Sequence, residues 1–215
     1  MVMKMNIVIF GARGAIGKSI LNEALQRGHQ VTMVARRPLA VDELPPAVAV
    51  LQGDVLDPAS VAAAAAGRDV VISAVGPARD SQPEMLVQAA QALVAGISQA
   101  RAARLIVVGG AGSLQVSPGM LLLDSPGFTP AWRPTALAHK NALDVYRRAS
   151  IDWTFLSPPE WIEPGPRTGQ YRVGLEDLVV DANGKSRISI ADFAVALLDE
   201  VDHPAHHRQR FTVAY

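Results

Sequence analysis

Ile7-Val8-Ile9-Phe10-Gly11-Ala12-Arg13-Gly14-Ala15-Ile16-Gly17 is the stretch that decides the fold. Its first four residues are large, apolar and mostly β-branched, as a strand covered on both faces requires. Glycines follow at once in the spacing G-x-x-G-x-x-G. Gly11 permits a tight turn, Gly14 lets the backbone approach a pyrophosphate, and Gly17 lets the next helix pack closely on the strand. From Ala15 onward Ile16, Ile20, Leu21, Ala24 and Leu25 recur at helical spacing, and Gly28 supplies the stop. A helix that opens on such a turn offers free N–H groups and the positive end of its dipole to an anion. Gly11, Ala12, Arg13, Gly14, Ala15 and Ile16 are therefore expected to hold phosphate.

Outward from this unit, strand-like and helix-like segments alternate. Strands are expected at Gln30–Ala35, Ala47–Leu51, Val70–Ile72, Leu105–Val108 and Trp153–Leu156, with helices at Pro58–Ala66, Gln82–Ala100 and Arg133–Ala149. That order calls for an α/β fold: a Rossmann-type, doubly wound parallel sheet with helices on both faces. Ser113–Pro130 breaks the rhythm and reads as a loop near the site. Residues 157–190, with Pro158, Pro159, Pro164 and Pro166, form a loop-rich segment with short strands, a small C-terminal subdomain on the substrate side of one domain spanning 1–215. Ser189 to Asp192 reads as a capping box opening a helix to about Val201, with Ile188 and Phe193 as its staple. Arg210–Ala214 is a last strand.

Composition narrows the function. Hydrophobic residues make up 49% and charged residues 19% of the 215, which suits a folded globular chain. Twenty basic residues balance twenty acidic ones, so charge gives no reason to expect nucleic acid or an anionic membrane as partner. Cysteine is absent, which excludes thiolate metal sites and cysteine nucleophiles. His203, His206 and His207 lack the spacing of a metal site and read as surface residues, so no metal is expected. The apolar run before Gly11 is too short for a signal-peptide core, and no stretch has the length of a membrane span, so a cytoplasmic protein is expected.

Specificity is read at the ends of later strands. An acidic residue after the second strand would bond the ribose 2′-hydroxyl of NAD; this chain has Ala35-Arg36-Arg37 instead. Two guanidinium groups suit a 2′-phosphate, with Arg13 as a third, and NADPH is the expected cofactor. Asp54 and Val55 after the third strand should reach the adenine edge. Ala74, Val75 and Gly76 after the fourth should pack near the adenosine.

Together these residues resemble the atypical short-chain dehydrogenase/reductases, and among them the NAD(P)H-flavin reductase or biliverdin-IXβ reductase type and the NmrA-like proteins. The resemblance extends to Ser113 in Gly109-Gly110-Ala111-Gly112-Ser113, to His139-Lys140, to Leu156-Ser157-Pro158-Pro159, and to Arg167-Thr168-Gly169-Gln170-Tyr171 and Ser186-Arg187-Ile188-Ser189. It implies that Lys140 holds the nicotinamide ribose and that Ser157, Pro158 and Pro159 shape the nicotinamide end. It also implies that Ser113 bonds the substrate or the carboxamide, with His139 as a candidate proton donor. One departure matters: the wider family places a proton-donating tyrosine four residues before the lysine, and here that position is Ala136. Tyr146 lies on another side of the helix.

Simple carbonyl reduction is thereby disfavoured. Hydride transfer to a flavin or quinone needs no such tyrosine, because solvent can supply the proton. The expected function is NADPH-dependent reduction of a planar small-molecule acceptor, with flavin as substrate rather than bound group, in a monomer or small homo-oligomer. Trp132, Trp161, Met120 and Phe128 are candidates to wall the acceptor pocket. The alternative is a non-catalytic, NADP(H)-binding redox sensor of the NmrA-like type. A sugar-nucleotide epimerase is disfavoured, since it would need the tyrosine and a larger C-terminal domain.

Overall fold

The computed structural model describes residues 3–37, 48–77, 82–100 and 104–215. The first unit is β1 (Asn6–Phe10), α1 (Ala15–Gln26) and β2 (Gln30–Ala35). Then come β3 (Ala49–Gln52), α2 (Pro58–Ala65), β4 (Val70–Ser73), α3 (Met85–Ala100) and β5 (Arg104–Val108). Beyond them lie β6 (Gln115–Ser117), β7 (Met120–Leu121), α4 (Arg133–Arg148), β8 (Trp153–Ser157) and β9 (Trp161–Glu163). The chain closes with β10 (Arg172–Gly174), β11 (Arg187–Ser189), α5 (Ile190–Asp202) and β12 (Gln209–Ala214).

The main sheet has eight strands in the order β10-β12-β8-β5-β4-β1-β2-β3. Every pairing in it is parallel except β10 on β12. This is the doubly wound, Rossmann-type arrangement that the sequence calls for, extended at one edge. Successive side chains of a strand face opposite sides, which is why the central strands read as unbroken apolar runs. Ile7, Ile9, Ile72, Ile106 and Leu156 form the core beneath α1 and α5. Val8, Phe10, Val71, Leu105 and Phe155 form the one beneath α2, α3 and α4. The order of the strands reverses between β1 and β4, and ligands of such sheets bind at that crevice, outside the strands' C-terminal ends.

Three expectations need revision. Of the third strand, Ala47 lies outside the described residues, and the strand runs over Ala49–Gln52. Ser113–Pro130 is not irregular throughout: β6 and β7 make an antiparallel hairpin, and a 3-10 turn follows at Leu122–Asp124. The capping box is half formed. Ser189 Oγ accepts the Asp192 N–H at 2.9 Å, but the Ser189 N–H donates to the Tyr215 hydroxyl at 3.1 Å rather than to Asp192.

Asp192 is used for something else. Its carboxylate is fully buried and accepts the N–H groups of Thr168 and Gly169, each at 2.7 Å, and the hydroxyls of Thr168 and Tyr215 at 2.6 and 2.7 Å. Burial works to raise its pKa, yet these bonds to the ionised form hold it below the ordinary carboxylate value. The same segment is tied to α1 by Arg167, which reaches Glu23 through two bonds of 2.8 Å, and to α5 by the Tyr171 hydroxyl on Asp199. Residues 166–171 are thus a strap pinned across α1 and α5. Asp192→Ala should leave four donors without their shared acceptor and lower stability by about 2 kcal/mol at neutral pH, read from the urea midpoint. Because the folded pKa is the lower one, the Asp192 contribution is fully present above the unfolded carboxylate value and is lost as pH falls from there through the folded value. The wild-type advantage over the variant should therefore shrink in acid, and an advantage that stays constant there would contradict this.

Candidate functional site

The turn after β1 is shaped by what cannot fit in it. Gly11 has φ +82°, and a Cβ there would overlap the Ala74 carbonyl at the end of β4. A Cβ on Gly17 would overlap the Gly11 carbonyl. A Cβ on Gly14 would meet only the Gly11 oxygen, at an ordinary 3.5 Å, and points into open space. Gly14 is the N-cap of α1, with no side-chain cap and no acidic residue in the first turn. The first turn of α1 thus keeps N–H groups and positive dipole end available to an anion.

This turn forms the floor of a cleft of ≈ 770 Å³, a volume suited to a drug-sized or larger ligand. The cleft gathers Gly11, Ala12, Arg13, Gly14, Arg36, Arg37, Asp54, Val55, Ala74, Val75 and Gly76. These expected cofactor residues come from four separate strand ends. Ala15 and Ile16 stand behind them in the first turn of α1. Sequence reasoning missed Leu56 and Met85, which also line the cleft. Leu56 was legible only as the residue after Asp54-Val55, and Met85 as the start of the helix following the fourth strand. Asp54 is fixed at both ends: its N–H donates to Ser60 Oγ at 2.9 Å, and its Oδ1 accepts the Leu56 N–H at 3.0 Å.

The residues expected at the nicotinamide end are placed differently. Lys140 lies on α4 with its Nζ 3.6 Å from Asp144 Oδ2, one helical turn on. Ser113 is buried, and its Oγ accepts from Arg210 Nη1 at 2.9 Å. Arg210 also grips Glu176, whose Oε2 lies 3.1 Å from Arg147 Nη2. Ser113 thus ties the loop after β5 to β12 as a hydrogen-bond acceptor. Ser157 is fully buried, beside Thr212, its register neighbour on β12, and among the described residues neither Ser157 Oγ nor Thr212 Oγ1 has a hydrogen-bond partner. Pro158 and Pro159 follow it out of the sheet.

His139 is not a helix-surface residue. Its ring packs on Gly110, where a Cβ would come within 2.8 Å of it, and it borders a small void shared with Tyr146 and Phe155. Burial pushes its pKa down to about 4, so at neutral pH it carries no extra proton and cannot serve as a cationic donor. Ala136 is buried against Gly112, where a Cβ would lie 2.6 Å from its own, so a tyrosine at 136 would meet the loop after β5. Tyr146 is packed in the core between Trp153 and Phe155. His206 is also not a simple surface residue: it stacks on Phe211 at 4.2 Å and its Nδ1 lies 2.6 Å from Glu200. Among the described residues no group of histidines and carboxylates is arranged to hold a metal, and no helix is long and apolar enough to cross a membrane.

Residues 11–201, from the first glycine of the turn nearly to the end of α5, match the family model described as NAD(P)H-binding. The chain belongs to this NAD(P)H-binding family. Solved structures agree on the fold and differ in the activity their names imply. A "Putative exported protein" from Burkholderia pseudomallei is 45% identical, with a TM-score of 0.89 over 98% of this chain and 100% of that one. A "putative epimerase" from Bacteroides thetaiotaomicron is 38% identical, with a TM-score of 0.89 over 99% and 98%. A "putative NADH-flavin reductase" from Streptococcus pneumoniae TIGR4 is 32% identical, with a TM-score of 0.83 over 98% and 99%. The family is oxidoreductase-like, and the chemistry has to be argued from the site.

The glycines of the turn separate binding from folding. Gly14→Val should abolish dinucleotide binding with little loss of stability, because its side chain fills only the anion's space. Gly17→Ala should cost on the order of 3 kcal/mol in stability, because α1 must move off β1. Calorimetric titration with NADPH and a urea melt of each variant check this. A Gly14→Val protein that still binds at wild-type affinity would contradict the placement of the anion.

Proposed function

We propose that the protein binds NADPH and reduces a planar acceptor, a flavin or a quinone. The observation that carries this reading is the cleft itself, which gathers Arg36 and Arg37 into the same cavity as the Gly14 turn. A dinucleotide with an extra ribose phosphate carries the two anionic groups that these two features would hold. Bound NADPH supplies a hydride, which the acceptor takes up together with one proton from solvent, giving NADP⁺ and the reduced flavin or hydroquinone.

The chain's own residues then have a limited task. The first turn of α1 neutralises the pyrophosphate, and Arg36 and Arg37, with Arg13, grip the 2′-phosphate. Lys140 would hold the nicotinamide ribose, giving up its contact with Asp144. That pair is half exposed and one turn apart, an interaction of roughly 0.3–0.5 kcal/mol, so breaking it costs little. Acid catalysis is not assigned to any side chain: Ala136 carries no proton, Tyr146 is buried in the core, and His139 is neutral. This is the pattern of a site that orients rather than protonates.

One observation favours the sensor reading. Ser113 and Lys140 are both engaged by neighbours within the protein, and the adenosine half of the site is the better formed one. The two readings part on turnover. The wild type should bind NADPH more tightly than NADH by roughly ten- to a hundredfold, and Arg36→Ala with Arg37→Ala should erase most of that preference. NADPH oxidation should proceed with riboflavin, FMN or menadione, and Lys140→Ala should lower it. Tight NADPH binding without turnover on any of these would defeat the reductase reading and leave the sensor.

A further inference from the structure

Two of the three tryptophans are far more exposed than burial of so large an apolar ring would favour. Trp132 is 46% exposed and Trp161 is 53% exposed, while Trp153 is buried at 3%. The two exposed rings touch, with centroids 5.5 Å apart and planes at 78°. They come from different parts of the chain. Trp132 ends the 3-10 turn at Pro130–Trp132, immediately before α4, and Trp161 opens β9, four residues beyond Ser157.

Their position follows from their anchors. The first turns of α4 are fixed over the end of β5, with His139 on Gly110 and Ala136 on Gly112. β9 is fixed by its pairing with β11 and by the Trp161 N–H on the Ser186 carbonyl at 3.0 Å. β5 and β8 are neighbours in the sheet, Val108 opposite Leu156. The indole pair therefore bridges the two segments that leave the C-terminal ends of β5 and β8, the end of the sheet at which the glycine turn also lies.

We propose that the Trp132–Trp161 pair is the acceptor-binding platform, and that it selects electron-poor, planar, fused-ring molecules. This rests on the reductase reading above. An edge-to-face pair leaves the faces of one indole free of the other, and an electron-rich face attracts an electron-poor ring plane by stacking. Arg187, the exposed register partner of Trp161, shares its face, so a neutral probe isolates stacking from charge.

The test is a titration of the whole protein with lumichrome, a neutral fused-ring compound, followed by tryptophan emission. Trp153 is shielded from contact in the core, and the Trp132→Ala Trp161→Ala double variant gives its share of the emission change. Wild-type emission should fall saturably. Trp132→Ala and Trp161→Ala should each weaken binding roughly tenfold, whereas Trp132→Phe and Trp161→Phe should stay within about threefold of wild type. Circular dichroism checks that the variants remain folded, and NADPH affinity should not change. No saturable change in the wild type, or alanine variants that bind lumichrome as the wild type does, would overturn the proposal. Quenching without NADPH turnover would leave the platform standing and remove the reductase. Turnover whose acceptor KM is unchanged in both alanine variants would remove the platform and leave the reductase.

Discussion

The packing of α1 against the turn after β1 is the contact on which the site depends. Gly17 lies so close to the Gly11 carbonyl, and Gly11 so close to the end of β4, that neither position has room for a Cβ. That approach aims the first turn of α1 at the crevice between β1 and β4. It also fixes where the free N–H groups point, and so where an anion can sit. The other lining residues follow from strand register. β2 and β3 run parallel to β1, so Arg36-Arg37 and Asp54-Val55 emerge on the same edge as the glycine turn. No single long-range contact has to bring them together.

This is why the lining of the cleft was legible in the sequence. Strand ends in a parallel sheet are collected by topology alone, and a residue's place after its strand gives its place in the cleft. Residues 11–14, 36–37, 54–55 and 74–76 could be read in this way and do line one cavity. The surroundings of the residues expected at the nicotinamide end were not legible, because those side chains sit on loops and a helix whose partners are far away in sequence. Nothing near Ser113 announces that Arg210 bonds it, and nothing near Asp192 announces Thr168 and Gly169. The serine-to-aspartate spacing at 189–192 located a helix start correctly and misassigned its acid, because a buried carboxylate goes to the densest set of donors available. His139 shows the same limit: the helical pattern gave its place on α4, but only the Gly110 surface opposite gives its burial and its neutral state.

The polar ties at the substrate end have a common result. Asp192 and Glu23 pin the strap at 166–171, while Arg210 links Ser113 to Glu176. Together they tie down the loops that follow β5 and β8. A scaffold of this kind can orient two flat rings and exclude water, which is what hydride transfer to a flavin or quinone asks of a protein. The exposed indole pair lies at the edge of this scaffold, on the segments it holds.

A crystal structure of the NADP⁺ complex tests the central claim most directly. The account predicts the 2′-phosphate between Arg36 and Arg37, the pyrophosphate over Gly14, and an ordered nicotinamide near the ends of β5 and β8, with Lys140 released from Asp144 onto the ribose. A dinucleotide bound without contact to the Gly14 turn or the two arginines would contradict it.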